Sequence, residues 1–220
     1  MTRAVLFDLD GTLVASGPSI IASIHHAMQA IGRPLYPDQN LSWVVGPPLR
    51  DIFARLLDPA DSEQIEAASA AYRGHYDGGG LLQVAPYPGI AAVLETFRAE
   101  GFAVLVATSK PAHAARRILT HLGLADKFRA IYGAAGGGAL AHKPELIAYV
   151  LATQGLDPAR TVMIGDRSFD ISGAHANELR AIGVLWGYGD RAELEQAGAD
   201  ALAETPADLL DQVAHLLHPR

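Results

Sequence analysis

One pattern recurs along this chain: a short, unbroken apolar run that stops at a glycine or a polar residue. Ala4-Val5-Leu6-Phe7 stops at Asp8, and residues 102–107 stop at Thr108-Ser109. Ala130-Ile131-Tyr132 stops at Gly133, residues 161–164 at Gly165-Asp166, and residues 181–186 at Gly187. A run without polar alternation is a strand covered on both faces, which is how parallel sheets are written in sequence. Five such strands are predicted. Helical spacing fills the gaps: Ile90, Val93, Leu94 and Phe97 up to Gly101; Ile118, Leu119 and Leu122 up to Gly123; Leu146, Ile147, Val150 and Leu151 between Pro144 and Gly155. Glycine just past a helix accepts the left-handed backbone that ends it, and proline in the first turn lacks an N–H where none is needed. Thr205-Pro206 opens a last helix through Leu217, with Leu209, Leu210, Val213, Leu216 and Leu217 set to pack on the core. Strands alternating with helices predict an α/β fold, a Rossmann-like parallel sheet with helices on both faces.

The rhythm breaks between Val14 and Pro86. That stretch carries three helical stripes: Ile20, Ile24, Met28 and Ile31; Leu49, Phe53, Leu56 and Leu57; Ile65, Ala68, Tyr72 and Tyr76. Asp61 and Gln64 are spaced as a capping box for the third. Ser16-Gly17-Pro18 and Ala85-Pro86-Tyr87-Pro88-Gly89 read as hinges on either side. The expected organisation is a core of residues 1–15 and 87–220 and an inserted all-helical cap of residues 16–86.

Composition narrows the chemistry. With no Cys among 220 residues, disulfides, thiolate zinc sites, iron–sulfur clusters and a Cys nucleophile are all excluded. A formal charge of −7 argues against a nucleic-acid polymer as partner, because phosphate backbones are bound by basic stripes. The apolar runs are strand-length, far below the ~20 residues of a membrane-crossing helix, and Asp8 and Asp10 interrupt any leader-like stretch. The expectation is a soluble cytoplasmic protein with no membrane association.

In an open parallel sheet, ligands bind beyond the carboxyl ends of the strands. The residues predicted there are Asp8 and Asp10 after the first strand, Thr108, Ser109 and Lys110 after the second, Lys143 ahead of the helix opened by Pro144, and Asp166 and Asp170 after the fourth. Clustered carboxylates repel unless a cation neutralises them, and an all-oxygen donor set suits Mg²⁺. Lys143 and the two hydroxyls would then face an anion, plausibly a phosphate. Asp8 and Asp10, two apart on an extended segment, point the same way, so that one can attack phosphorus while the other handles a proton.

These residues carry a resemblance. Phe7-Asp8-Leu9-Asp10-Gly11-Thr12-Leu13 resembles the first motif of the haloacid dehalogenase superfamily, Thr108 (or Ser109) its second, Lys143 its third, and Gly165-Asp166-Arg167-Ser168-Phe169-Asp170 its fourth. The motifs occur in the family's order, with a helical insertion where the family places a mobile cap. Gly46-Pro47-Pro48-Leu49 and the stretch 183–189 resemble the phosphoglycolate phosphatase-like branch, some of whose members are 5′-nucleotidases. The resemblance implies a phosphatase that works through an aspartyl-phosphate. It makes Asp8 the nucleophile and a Mg²⁺ ligand, and Asp10 the general acid, then base, with its backbone carbonyl on the metal. Asp166 is implied as a further ligand, and Asp170 as support for the metal through water or through Lys143. Thr108 and Lys143 are implied to hold the phosphoryl oxygens.

Rival readings differ in their requirements. A phosphomutase of the β-phosphoglucomutase type uses the same four motifs and passes the phosphoryl group to a sugar. A non-catalytic module that binds a phosphorylated ligand has little use for a nucleophile beside an acid. A phosphonate hydrolase of the superfamily needs a cap lysine, and residues 16–86 contain none. Gly136-x-Gly138-x-x-Ala141 fits a dinucleotide fingerprint poorly, because the helix begins only at Pro144. His25 and His26, adjacent in the first cap helix, read as rings stacked locally or in solvent. Within the insertion, Arg50 and Arg73 are the candidate contacts to a leaving group, joined by Ser109 and Lys110 from the core. The expected partner is a small phosphorylated metabolite, and the expected assembly is a monomer or homodimer.

Overall fold

A computed structural model of the chain describes residues 2–58, 61–135 and 138–217. Gly136, the first glycine of the dinucleotide fingerprint, and its neighbour Gly137 lie outside the described residues. The chain runs β1 (Ala4–Phe7), α1 (Gly17–Ala30), α2 (Leu49–Leu56), α3 (Ser62–Gly78), α4 (Ile90–Ala99), β2 (Ala103–Pro111), α5 (Ala112–His121) and β3 (Ala130–Ala134). It continues with α6 (Lys143–Gln154), β4 (Thr161–Gly165), α7 (Ser168–His175), β5 (Arg180–Val184), α8 (Arg191–Gln196), β6 (Ala201–Ala203) and α9 (Leu209–Leu217). The strands form one sheet in the order β3-β2-β1-β4-β5-β6, and every neighbouring pair is parallel.

The period-2 rule of a strand decides the layers. Val5 and Phe7 of β1 join an apolar layer with α4, α5 and α9, through Leu94 and Phe97, Ile118 and Leu119, and Leu209 and Val213. Ala4 and Leu6 face the other way, into a layer with α6, α7 and α8, through Leu146 and Ile147, Ile171, and Leu194. Both faces of β1 are therefore dry, which is why its sequence shows no alternation. Register then sets the site: Phe7 lies opposite Val106 on one side and Ile164 on the other, so β1 and β4 end within one residue of the same level while β2 runs on past them to Pro111.

Between β1 and α4 the chain is helical, as the three stripes predict. Ile65, Ala68, Tyr72 and Tyr76 of α3 are buried, together with Ile20, Ile24 and Met28 of α1 and Phe53 of α2. The two connections to the sheet are paired with each other. Val14 and Pro86 form an antiparallel bridge. The Ala15 N–H donates to the Ala85 carbonyl (2.9 Å) and the Tyr87 N–H to the Leu13 carbonyl (3.1 Å).

Some expectations are corrected. A sixth strand, β6, was not predicted; three residues are too few to show a pattern. Short α8 was missed for the same reason. The expected fifth strand ends at Val184 rather than Trp186, whose indole N–H turns back to the Thr12 carbonyl (3.0 Å). Asp61 caps α3 alone by accepting from the Glu63 N–H, with no reciprocal bond from Gln64. Thr205-Pro206 opens a short 3₁₀ turn, Pro206–Asp208, before α9 begins. Among the described residues, no helix is long and apolar enough to cross a membrane.

Candidate active site

The chain leaves β1 through a tight turn. The Asp8 N–H still donates to the Ile164 carbonyl (2.9 Å), so the first carboxylate is fixed by the sheet itself. Leu13 and Val14 N–H groups then donate to Leu9, curling residues 9–14 over the strand ends. Gly11 makes this possible twice over. Its φ of +88° is left-handed, and a Cβ there would run into the Asp166 carboxylate.

Four charged side chains, from the ends of β1 and β4 and the first turns of α6 and α7, meet in this space. The Lys143 ammonium lies 2.7 Å from Asp8 Oδ1, 2.6 Å from Asp170 Oδ1 and 2.8 Å from the Ala107 carbonyl oxygen. Asp166 is fully buried; its Oδ1 accepts from the Thr12 hydroxyl (3.1 Å) and its Oδ2 from the Tyr188 N–H (2.8 Å). Asp170 Oδ2 accepts from the Arg167 N–H (3.1 Å). One lysine faces three buried carboxylates, and their protonation tendencies reflect the imbalance. Burial, then the charges of Asp8 and Asp170, pushes the Asp166 carboxyl well above its ordinary range. Burial also pushes Asp170 up to about 6, against the opposing pull of Lys143. Burial alone would lower Lys143, but Asp170 and Asp8 outweigh it and keep the ammonium charged.

Asp8, Asp166 and Asp170 offer oxygens within 4.8 Å of one another. A buried acidic excess with carboxylate donors only is what a hard divalent cation neutralises, so the residues present fit Mg²⁺. The Asp10 side chain stands apart from this cluster. Its Oδ2 lies 3.1 Å from the Lys110 ammonium, and its buried Oδ1 has no hydrogen-bond partner among the described residues.

The structure places the remaining sequence candidates unequally. Thr108 is buried at the end of β2, its Oγ1 accepting from the Lys110 N–H (3.2 Å), and Ser109 beside it is half-buried. Lys110 is enclosed rather than open to a ligand. Its ammonium also donates to the Tyr76 hydroxyl (2.8 Å), and Tyr76 stacks on Tyr72 with ring centroids 5.2 Å apart. The predicted leaving-group arginines are not gathered in. Arg50 pairs with Glu66 on the exposed surface of the insertion. Arg73 is exposed, with no ion pair among the described residues. His26 stacks on His75 at 4.4 Å, away from the carboxylates.

Three residues were missed by sequence reasoning. Arg167 donates through Nε to Glu193 (3.0 Å) and through a terminal nitrogen to the Val45 carbonyl, tying the fourth-motif loop to the insertion. Tyr76 was counted only as core. Tyr188 holds Asp166 with its backbone and accepts from the Gly17 N–H with its hydroxyl (2.5 Å). Arg167 lies within the fourth motif and Tyr188 within the stretch 183–189, but no spacing in the sequence assigns either of them a contact.

Comparison with known proteins agrees with this geometry. Residues 5–184 match the family described as haloacid dehalogenase-like hydrolase. The chain is 38% identical over 187 residues to Tyrosine-protein kinase PtkA of Mycobacterium tuberculosis, a match covering 85% of this chain but only 63% of that longer relative. It is 36% identical to a 5′-nucleotidase of Pseudomonas aeruginosa, covering 86% of each chain. A phosphoglycolate phosphatase of Neisseria meningitidis is 33% identical over 90% of this chain and 86% of its own. Among solved structures, a predicted phosphatase from Clostridium acetobutylicum superposes with a TM-score of 0.92 at 34% identity, covering 98% of this chain and all of that one.

Proposed function

The chain belongs to the haloacid dehalogenase-like hydrolase family, and from that premise we propose Mg²⁺-dependent hydrolysis of a small phosphomonoester through an aspartyl-phosphate on Asp8. The observation that carries this reading is the pairing of Asp8 with Lys143 inside a cluster completed by Asp166 and Asp170. The leading substrates are phosphoglycolate and a nucleoside monophosphate.

In this reading an Asp8 carboxylate oxygen attacks phosphorus and the bond to the ester oxygen breaks. Asp10 gives that oxygen a proton. Asp10 then takes a proton from water as the water oxygen attacks phosphorus, which releases phosphate and restores Asp8. Lys143 and Thr108 meet the charge that builds on the phosphoryl oxygens. A cation held by Asp8 and Asp166, with Asp170 in support, supplies charge neutralisation for phosphate and carboxylate together. Residues 16–86 act as the cap that excludes bulk water and selects the leaving group. A cytoplasmic monomer or homodimer completes the proposal.

The test is phosphate release from a panel of phosphoglycolate, nucleoside 5′-monophosphates and sugar phosphates, with Mg²⁺ and with EDTA. Release that requires Mg²⁺ is expected. A folded, Mg²⁺-binding protein that releases no phosphate from any of them overturns the hydrolase reading; turnover that appears only with a sugar bisphosphate activator replaces it with the mutase.

Two substitutions separate the core lysine from the cap arginine. Lys110→Met strips Asp10 of its cation at a seam closed by Tyr76, and kcat/KM is expected to fall about 30-fold, roughly 2 kcal/mol of transition-state stabilisation. Arg50→Ala breaks only an exposed pair with Glu66, worth under ~1 kcal/mol of stability, and is expected to leave kcat/KM within about fivefold. Steady-state kinetics on the best ester of the panel checks both.

A further inference from the structure

The two segments that carry the insertion meet at one side chain. The entering segment reaches Tyr188 through the Gly17 N–H, which donates to its hydroxyl at 2.5 Å. The returning segment is locked to the entering one by the Val14–Pro86 bridge and the backbone bonds on either side of it. Tyr87, in the returning segment, is a neighbour of the Tyr188 phenol, and burial first, then Tyr188, raises its own phenol above the ordinary range. Room for this arrangement is made by glycines: a Cβ at Gly17 or at Gly11 would collide with the Tyr188 ring. At its other end Tyr188 donates its backbone N–H to Asp166 Oδ2 (2.8 Å). The second Asp166 oxygen is held by Thr12, in the same turn whose carbonyl accepts from Trp186.

We infer that Tyr188 is a positioning residue that couples the register of both cap segments to the placement of Asp166. This rests on the Mg²⁺ reading of the carboxylate cluster. Settling Asp166 on a cation fixes the Tyr188 backbone, and through the phenol fixes where the insertion begins. The reverse holds as well: a displaced insertion loosens one donor on Asp166. Such coupling is reciprocal by thermodynamic necessity.

Hydrogen exchange of the full chain, with and without Mg²⁺, read at peptides covering residues 12–18 and 84–89, tests the inference, with Mg²⁺ binding followed by calorimetry on the same samples. In the wild type, Mg²⁺ is expected to slow exchange at both segments together, by about threefold or more, as a local opening becomes rarer. In Tyr188→Phe, which keeps the ring and the backbone N–H, exchange at both segments rises about tenfold and stops responding to Mg²⁺, while Mg²⁺ affinity stays within about threefold. A merely structural loss would instead speed exchange in β4 and β5 too and leave the response to Mg²⁺ in place. Cap segments that respond to Mg²⁺ equally in wild type and variant overturn the coupling alone. No Mg²⁺ binding by the wild type overturns the metal reading and this inference with it. Should Tyr188→Phe fail to fold, Tyr87→Phe removes only the hydroxyl neighbouring Tyr188 and is expected to weaken the response at residues 84–89; an unchanged response there overturns the inference.

Discussion

Asp8→Asn is expected to abolish turnover without unfolding the protein. Amide and carboxylate have nearly the same shape, so the Ile164 bond to the backbone of residue 8 and the packing of β1 persist. The carboxylate oxygen proposed as nucleophile does not. Losing a covalent nucleophile removes a whole reaction path, and kcat should drop by roughly 10⁴–10⁶-fold. Stability should move little or rise. The substitution costs Lys143 one of its two carboxylate partners, 2.7 Å away, but it also removes one of the charges that push Asp166 toward protonation. Phosphate release and a thermal melt on the same preparation check both halves. A variant that keeps more than about 1% of wild-type kcat removes Asp8 from the role assigned to it.

Lys143→Met is expected to damage both activity and fold. The lysine is the one ammonium among three buried carboxylates, and its stem is enclosed with only 4% of its surface exposed. Breaking a buried pair by removing one partner typically costs about 3–5 kcal/mol, because the other charge stays buried and unanswered. For a chain of this size that corresponds to a fall in Tm of roughly 6–20 °C in metal-free buffer. Added Mg²⁺ should recover much of the loss, since a cation answers the same carboxylates. Turnover should still fall about 10²–10³-fold with Mg²⁺ present, the usual cost of losing one donor to the transition-state charge. Melts with and without Mg²⁺ separate the two effects. An undiminished Tm in metal-free buffer would show that the carboxylates are not relying on Lys143. The stability effects of the two variants thus have opposite expected directions, although both residues sit within one hydrogen bond of each other.

The residues that could be read from sequence share a physical reason. Asp8 and Lys143 lie 135 positions apart and still could be placed together, because a parallel sheet delivers the carboxyl ends of its central strands to one edge. Uninterrupted apolar runs mark those ends directly. Contacts between the insertion and the sheet have no such rule behind them. The bond from Arg167 to Val45 spans 122 positions and depends on how three helices settle on the core. For the same reason the surroundings of Lys110 were not legible: its place late in β2 is, but the Tyr76 hydroxyl that encloses it comes from a helix whose rotation only packing decides. Arg50 shows the same limit on the surface. A cation beside a glycine turn looked aimed at a ligand, yet a partner at Glu66, sixteen positions on, holds it at the surface. Short β6 and α8 escaped because three to six residues cannot display a period.

The paired segments at Val14 and Pro86 have an evolutionary consequence. The insertion departs from and returns to the sheet at adjacent points already joined as an antiparallel bridge. Whatever lies between them can lengthen, shrink or be exchanged without shifting the strand that bears Asp8, and the entropic cost of a longer excursion grows only slowly with its length. Lineages descended from such an ancestor can therefore trade one inserted segment for another while the carboxylate cluster at the sheet edge is inherited unaltered.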